Sequence, residues 1–394
     1  MRFRTLLPIG LLLFSVSLAF SQEHARLTDS NFGSLQAANF RPWQVEVDYL
    51  MAWTKGASVP ALVSTSSDGT LKSQAGVLGQ PTSSVLFGGD TQDNGYRSGG
   101  RFKVSRELAL IDATLFGTGL FIGEDPQSGD YRASSTGSPI LARPFLDAQT
   151  GLENAELVAY PGVLAGTVTV DGYSEFYGAH IGMTNTLLRN TTGKLFLTSG
   201  YRFLSYRDQL SVREDLRSTN LGGAIPLDTT FVVRDSFETN NNFHGGTLGI
   251  GIESTLERWS YSIDGGVSLG GLTRRLKTSG ETNVTVPTLP TTSTAGGLLA
   301  LPSNIGSYRS TTFAAVPEFN ARLCRQIGSH LSADVGYTFL LLPEVWRAAE
   351  QIDRTINQSQ IGGGTLVGPA SPSQQSISHN MWVQGLSFGL TARW

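Results

Sequence analysis

The stretch that decides the fold is Trp382-Val383-Gln384-Gly385-Leu386-Ser387-Phe388-Gly389-Leu390-Thr391-Ala392-Arg393-Trp394. Every second residue from Trp382 is apolar except Gln384, and the positions between them are small or polar except Val383. This period of two predicts a β-strand with one apolar face. Such a face suits a strand in contact with lipid, with an aromatic residue at the membrane boundary, better than an exposed soluble edge. The stretch therefore favours a transmembrane β-barrel and leaves a β-sandwich open.

A second strand with the same pattern is predicted near residue 43. Trp43, Val45, Val47, Tyr49, Met51 and Trp53 share one face, opposite mostly polar residues. Tryptophan at both ends is typical of a lipid-facing strand with two interfacial belts. The candidate residues for these aromatic girdles are Trp43, Trp53, Trp259, Trp382 and Trp394. We expect this strand and the last one to pair and close a cylinder, with Arg393 pointing inward near Glu46.

The composition agrees with a membrane barrel. Charged residues make up 15% of the 394 residues, against about 25% in a typical soluble domain. Glycine is abundant, at 46 residues, and hydrophobic residues reach 40%. The net charge of −3 gives no electrostatic reason to expect a nucleic-acid partner. No run approaches the roughly 20 apolar residues of a transmembrane helix.

The first residues predict export. Arg2 and Arg4 precede a largely apolar stretch to Phe20, and Ala19 and Ser21 supply the small residues of a cleavage site. We predict a signal peptide at 1–21, a flexible tail at 22–40 and an outer-membrane barrel at 41–394. The single cysteine, Cys324, allows no intrachain disulfide.

The connections between predicted strands alternate in length. Four tight turns and five long segments, near 54–95, 123–172, 207–234, 273–307 and 343–378, join ten candidate strands. Short turns on one side and long loops on the other are typical of an antiparallel up-and-down outer-membrane barrel. Residues 163–170 could form an additional hairpin, which would raise the number of strands to twelve.

Several local motifs resemble the planctomycete-type beta-barrel porin family, the seventh of the numbered beta-barrel porin series. They follow the family's order over nearly all of the predicted mature chain, and the resemblance implies an outer-membrane barrel but little about activity. The motifs are GVLGQP at 76–81, VLFGGD at 85–90, RSGGR at 97–101, GSPILARPF at 137–145, LVAYPG at 157–162, SGYRFL at 199–204, NFHGG at 242–246, VPE at 316–318, GYTFL at 336–340, QIDRTIN at 351–357 and QGLSFGL at 384–390.

The faces opposite the apolar ones are predicted to line the lumen, because a Lys or Arg facing lipid near the midplane would cost about 2–4 kcal/mol. Two interpretations remain open: these residues pair across the lumen and close it, or they form a polar path. Ten strands leave little more room than the eight that side chains can fill. The candidates are Glu46, Asp48, Lys103, Asp112, Lys194, Arg202, Glu253, Asp264, Glu318, Arg322, Asp334 and Arg393, with Arg101 as a further possibility.

No motif indicates catalysis, a cofactor or a metal. The histidines His24, His180, His244, His330 and His379 have no spacing that links them to a nucleophile, and no Cys/His cluster suggests zinc. We therefore predict a non-enzyme without cofactor or metal, whose partners are outer-membrane lipid and, through the C-terminal strand, the outer-membrane assembly machinery.

Three functional hypotheses follow from the sequence. The first is a narrow, porin-like passage for small solutes. The second is a plugged structural or surface-interaction barrel that acts through its long outer loops. The third and most remote is a secreted β-sandwich adhesin module. The sequence specifies neither a solute nor an oligomeric state.

Overall fold

The computed structural model describes residues 42–92, 95–124 and 130–394. The predicted signal peptide and tail lie outside them. Within the described residues, the only helices are short 3-10 turns, and none is long and apolar enough to cross a membrane.

Ten antiparallel strands form a closed ring in which each strand pairs with its neighbours in the chain and the last pairs with the first. The prediction of an all-β, up-and-down barrel of ten strands is confirmed. The strands are β1 (Trp43–Thr54), β2 (Arg97–Leu108), β3 (Ala113–Ile122), β4 (Leu164–Arg189), β5 (Gly193–Ser218), β6 (Thr230–Leu256), β7 (Trp259–Thr285), β8 (Gly306–Gln326), β9 (Leu331–Val345) and β10 (His379–Arg393).

Closure between β10 and β1 follows from the two patterned stretches. Residues Gln44–Thr54 pair in continuous register with Val383–Arg393, and the backbones of Trp43 and Trp394 hydrogen-bond to each other at 3.1 Å in both directions. Closing the ring leaves no unpaired edge at this seam.

An apolar belt surrounds the ring. Ten residues separate Phe313 from Leu323 on the outer face of β8; at about 3.4 Å per residue and a tilt of about 40°, this belt is about 25 Å high. That height matches the lipid-facing band of a membrane barrel. Exposed members of the belt include Val47, Tyr49, Phe102, Leu115, Phe121, Ile181, Leu197, Leu248, Ile250, Ile263, Phe319, Val335, Phe388 and Leu390.

Strands β4 to β7 continue well beyond the belt. Each has 26 or 27 residues, whereas about 9–11 suffice to cross a membrane. Their continuations, residues 164–175, 207–218, 230–240 and 275–285, form what we call the outer wall. Strands Tyr131–Ser135 and Thr292–Ala295 extend its two edges.

The outer wall corrects two details of the sequence interpretation. Much of the segments near 207–234 and 273–307, expected to be loops, is strand, and the connection between β5 and β6 spans only residues 219–229. Residues 163–170 do not form an extra hairpin: Leu164 to Val170 belong to β4, where they pair with β5 and with Tyr131–Ser135. The ring therefore stays at ten strands.

A second sheet of five strands packs against the inner face of the outer wall, and we call it the cap. It is built from the long connections and consists of Val63–Ser66, Ser83–Phe87, Ile140–Asp147, Glu153–Ala159 and Thr355–Ile356. Its core joins side chains of the cap, such as Val63, Leu141 and Val158, to Val212 and Phe237 of the wall, all at most 2% exposed. The long segments thus form a second hydrophobic core outside the apolar belt.

The remaining short elements lie in the same connections, except for one 3-10 turn in the tight turn between β2 and β3. A two-stranded pair joins Ala57–Ser58 to Thr91–Gln92, and 3-10 turns cover Ala109–Ile111, Ala349–Gln351 and Gln358–Gly363.

Candidate functional site: the barrel interior and its cap

The first layer of the interior is an ion-pair network centred on Arg322 of β8. Its guanidinium contacts Glu46 on β1, Asp48 at 3.1 Å and Asp334 on β9 at 3.5 Å. To reach β1, Arg322 spans the positions of β9 and β10, so this contact crosses the interior. Arg101 adds an ion pair to Asp48 at 2.6 Å.

This network is balanced in charge. Lys103 lies 3.3 Å from Glu46, which completes a set of three acids and three bases. Arg101 also donates to Thr338 Oγ1 on β9 at 3.2 Å. Since each charge has a partner, the cost of burying the acids, Glu46 and Asp48 being 3% exposed, is largely offset.

Gly389 of β10 makes room for the network. It lies opposite Asp48 on one side and Asp334 on the other, and a Cβ atom there would come within 2.9 Å of carboxylate oxygens of Asp334. The missing side chain therefore lets two carboxylates approach the same guanidinium.

A second ion pair crosses the interior between β5 and β8. Arg202 contacts Glu318 and lies 3.1 Å from His180 Nδ1 on β4. Asn320 donates to Glu318 at 3.1 Å and to Asp264 of β7 at 2.9 Å. The two networks meet on β8, which carries both Glu318 and Arg322.

An apolar layer lies between the charged networks and the cap. Its buried side chains come from strands all round the ring, and Phe243 and Leu272 are 0% exposed. The sequence pattern predicts charged residues on the inner faces and does not predict this layer. The run Phe339-Leu340-Leu341-Leu342, apolar on both faces, was the signal for it. The members are Ala52, Ile122, Phe176, Leu204, Tyr206, Phe243, Leu272, Ala314, Val316, Leu340, Leu342, Val345, Met381 and Val383.

A cavity of about 70 Å³ lies where the charged and apolar layers meet. Arg101, Arg202 and Glu318 line its polar side, and Phe176 and Leu204 line its apolar side. It is much smaller than the roughly 300–1,000 Å³ of typical ligand pockets. A few water molecules would fill it.

A buried ion cluster joins the cap to the outer wall. Arg143 of the cap, 1% exposed, contacts Glu214 of β5 and lies 2.8 Å from Asp235 of β6. The other carboxylate oxygen of Asp235 accepts from the backbone N–H groups of Leu299 and Ala300 at 3.0 and 2.8 Å. Three separate segments are therefore tied together at one point.

Two acids in this cluster have raised pKa values. Burial raises the pKa of Glu214 above its usual range, although the charge of Arg143 offsets part of the effect. Burial, reinforced by the charge of Glu214, raises the pKa of Glu156 well above its usual range. The cluster therefore has more carboxylates than its single guanidinium can neutralise. The sequence does not predict this cluster, because its members are brought together from distant segments.

The remaining predicted lumen residues lie elsewhere. Asp112 is in a turn, its side chain 49% exposed, and bonds to Arg189; that hydrogen bond lowers the pKa of Asp112. Lys194 and Glu253 pair with each other at 3.0 Å near the short-turn end. Arg393 donates to Gln44 Oε1 at 3.0 Å instead of pairing with Glu46. None of these four joins the central networks.

The tryptophans proposed as girdles lie near the two ends of the belt. Trp43, Trp259 and Trp394 are at the short-turn end and are 39–54% exposed, whereas Trp53 and Trp382 lie at the opposite ends of their strands. Arg106 and Arg325 stack over Trp43 and Trp259, each at 5.2 Å from the ring.

The histidines occupy separate places. His244 bonds to Tyr201 on the outer face, His330 to the backbone of Arg393, and His379 to Glu350 at 2.9 Å. His24 lies outside the described residues, and Cys324 is a free thiol on β8. Within 42–92, 95–124 and 130–394 no group of three His, Cys, Asp or Glu residues could hold a metal.

Comparison with known protein families settles the class of this barrel. A family model described as "Putative beta barrel porin-7 (BBP7)" matches residues 43–394, from the first strand of the ring to the last residue. The chain belongs to this family. As a member of the beta barrel porin-7 family, it is an outer-membrane β-barrel protein. No curated protein matches the chain.

Three solved barrels share part of the architecture of this beta barrel porin-7 member at 6–9% identity. The Escherichia coli outer membrane protease OmpT has 8% identity, with 90% of this chain and 97% of that chain covered and a TM-score of 0.41. A Pseudomonas aeruginosa FadL homologue has 9% identity, 90% coverage of both chains and a TM-score of 0.25. The P. putida toluene transporter TodX has 6% identity, 89% coverage of both chains and a TM-score of 0.22. These scores are too low to transfer any property.

Proposed function

We propose that this outer-membrane barrel is closed to free diffusion and that its outer part, the cap and the outer wall, meets other molecules at the cell surface. The observation that carries the proposal is the filling of the interior at two successive levels. Charges pair across the ring around Arg322 and Arg202, and apolar side chains occupy the next level. A solute would have to separate ion pairs and then part a packed apolar layer.

The arrangement of the long connections supports the same proposal. The long connections fold into a sheet that has its own hydrophobic core. Ordering a residue's backbone costs about 1–2 kcal/mol, so such a core is expected where the connections must keep a defined shape. A defined outer surface is what a structural or interaction role requires.

Conductance in planar lipid bilayers tests closure. The purified protein, inserted and shown to be folded by its heat-modifiable mobility, is expected to give no discrete steps in concentrated KCl. Conductance steps of constant size, whose number rises with the amount of inserted protein, would contradict a closed interior.

A narrow porin-like passage for small solutes is the second candidate, favoured by the porin family and by the cavity at the boundary of the two layers. It requires a rearrangement of the apolar layer. Liposome swelling distinguishes the candidates: a passage would admit glycerol faster than a disaccharide, whereas a closed barrel would give the same slow rate as empty liposomes for both.

We also infer that a signal peptide at 1–21 directs export and that the β10 strand is read by the outer-membrane assembly machinery. The basic and apolar start of the sequence and the alternation ending at Trp394 support these inferences. Amino-terminal sequencing of the protein from outer membranes should begin at Gln22. A start at Met1 would contradict the cleavage.

A further inference from the structure

The outer face of the ring changes character just beyond the apolar belt. Between β7 and β8, the cross-strand pair Gly271 and Phe313 is followed by Thr273 and Thr311, whose hydroxyls lie 3.2 Å apart. The next pair outward is Arg275 and Arg309. The surface therefore passes from apolar to hydroxyl to cationic in three successive pairs.

Arg275 and Arg309 are directly opposite each other and both are exposed. Across the part of the chain that the structure describes, neither arginine has an acid within ion-pair distance or a side-chain hydrogen bond. Lys277, also exposed, lies two residues from Arg275 on the same face, opposite Glu238. Like charges opposite each other on neighbouring strands destabilise a sheet. An anion between them would reverse that effect.

Three other arginines of the outer wall form ion pairs. Arg207 pairs with Glu175 at 3.1 Å, Arg213 with Asp215 at 2.5 Å and Arg217 with Asp228 at 2.6 Å. Arg234 lies opposite Glu281 in the register of β6 and β7. Arg275 and Arg309 thus differ from these three arginines because they have no acid within ion-pair distance.

The height of this pair identifies the anion. Four residues separate Phe313 from Arg309, which is about 10 Å along the membrane normal at the usual rise and tilt. Headgroups occupy the zone immediately beyond the hydrocarbon core, and an arginine can bend toward it. Guanidinium groups bind phosphate through two parallel hydrogen bonds. A lipid phosphate at this level would meet both arginines while its chains cover Phe313.

We propose that Arg275 and Arg309, with Lys277 beside them, form a docking site for the phosphate headgroup of an anionic lipid in the outer leaflet. The site takes a headgroup because hydroxyls and then an apolar surface lie directly below the cations. It applies whether the interior is closed or open, so it stands apart from the proposed function.

Native mass spectrometry tests the site. The purified protein in a neutral detergent receives equal amounts of phosphatidic acid and phosphatidylcholine with the same acyl chains. The protein is expected to retain phosphatidic acid preferentially, and R275Q/R309Q should lower that preference about tenfold. R275K/R309K, which keeps the charge, should retain part of it.

The matched control is R213Q/R234Q. It also removes two arginines that lie opposite each other between neighbouring strands, but at a level farther from the belt. Its lipid preference should equal that of the unaltered protein. All variants must show heat-modifiable mobility, so that loss of folding is not mistaken for loss of binding.

Three results would overturn the proposal. The first is an unchanged preference in folded R275Q/R309Q. The second is displacement of phosphatidic acid by an equal concentration of inorganic phosphate, since that would assign the pair to a soluble anion. Equal losses in R275Q/R309Q and R213Q/R234Q would likewise show a general charge effect and no site.

Discussion

Gly389 lies directly opposite Asp48 between β10 and β1, and a Cβ atom at Gly389 would overlap with Asp48 Oδ1. The carboxylate, whose Oδ2 contacts Arg101 and Arg322, would have to shift if that atom were present. The absence of a single methyl group therefore permits the ion-pair network that fills the interior.

Gly389→Ala should destabilise the barrel by about 1–3 kcal/mol, the usual cost of overpacking a well-filled interior. The measurement is the temperature at which mobility on a denaturing gel changes. Gly119→Ala is the control, because a Cβ at Gly119 meets no atom within 4 Å. Equal transition temperatures for the two variants would contradict the role given to Gly389.

Replacing Arg143 by methionine should lower the free energy of local unfolding of the cap by about 3–5 kcal/mol. The substitution keeps much of the side-chain volume but leaves the buried carboxylates of Glu214 and Asp235 without their counter-ion. Hydrogen exchange of the strand Ile140–Asp147 should become faster, whereas exchange in β1 should not change. Arg213→Met, which removes an exposed ion pair, should have little effect. If this strand exchanges hydrogen as slowly in Arg143→Met as in the unaltered protein, the cluster does not hold the cap.

Glu156→Gln should stabilise the cap in a manner that depends on pH. The pKa of Glu156 is raised in the folded state, so the stability linked to its protonated form is present below the unfolded pKa of about 4.3 and is lost as the pH rises through the folded pKa. Glutamine stays neutral and avoids that loss. The stability difference between the variant and the unaltered protein should be small near pH 4 and grow toward pH 8, as measured by hydrogen exchange of Glu153–Ala159. A stability difference that shrinks as the pH rises would contradict a raised pKa of Glu156 in the folded state.

Phe176→Ala combined with Phe243→Ala should open a conducting path. Both rings are buried in the apolar layer and Phe176 lines the existing cavity, so their removal leaves voids in that layer, at a cost of about 3–5 kcal/mol per ring. Planar bilayers should show discrete steps for this variant and none for the unaltered protein. Phe313→Ala, on the lipid-facing surface and 71% exposed in the native chain, is the control and should stay silent. A folded double variant without conductance would contradict this role of the two rings and would leave the closure to the charged network and the cap.

The sequence predicts the membrane-embedded part of this fold well and the outer part poorly. Within the belt, lipid on one side imposes a strict alternation, which is readable in Val383 to Trp394 and in Val45 to Trp53. Beyond the belt the outward residues become polar, so β5 after Arg207 and β7 after Thr273 resemble loops. Alternation survives there on the inner face, at Leu210, Val212 and Leu216, and that was the remaining signal.

The interior was also only partly predictable. Alternation correctly placed acids and bases on one face of β1 and β8, but it could not specify which residue meets which, because Arg322 and Glu46 are 276 positions apart. The same alternation predicts that Asp112 lines the lumen. In the structure, Asp112 ends a short turn and has a left-handed backbone conformation with φ 45°. A turn breaks the period of two, so the face assignment does not extend through it.

Strands β4 to β7 pass from the apolar belt into the outer wall without interruption in their hydrogen-bonded ladders. The ladder bonds run perpendicular to the strands, so a pull on the outer wall along its strands loads many bonds at once instead of breaking them one by one. No linker between the two parts can stretch or swivel. A cell-surface attachment made through the outer wall would therefore transmit tension directly to the part of the ring inside the membrane, and the two parts would respond to force as one rigid body.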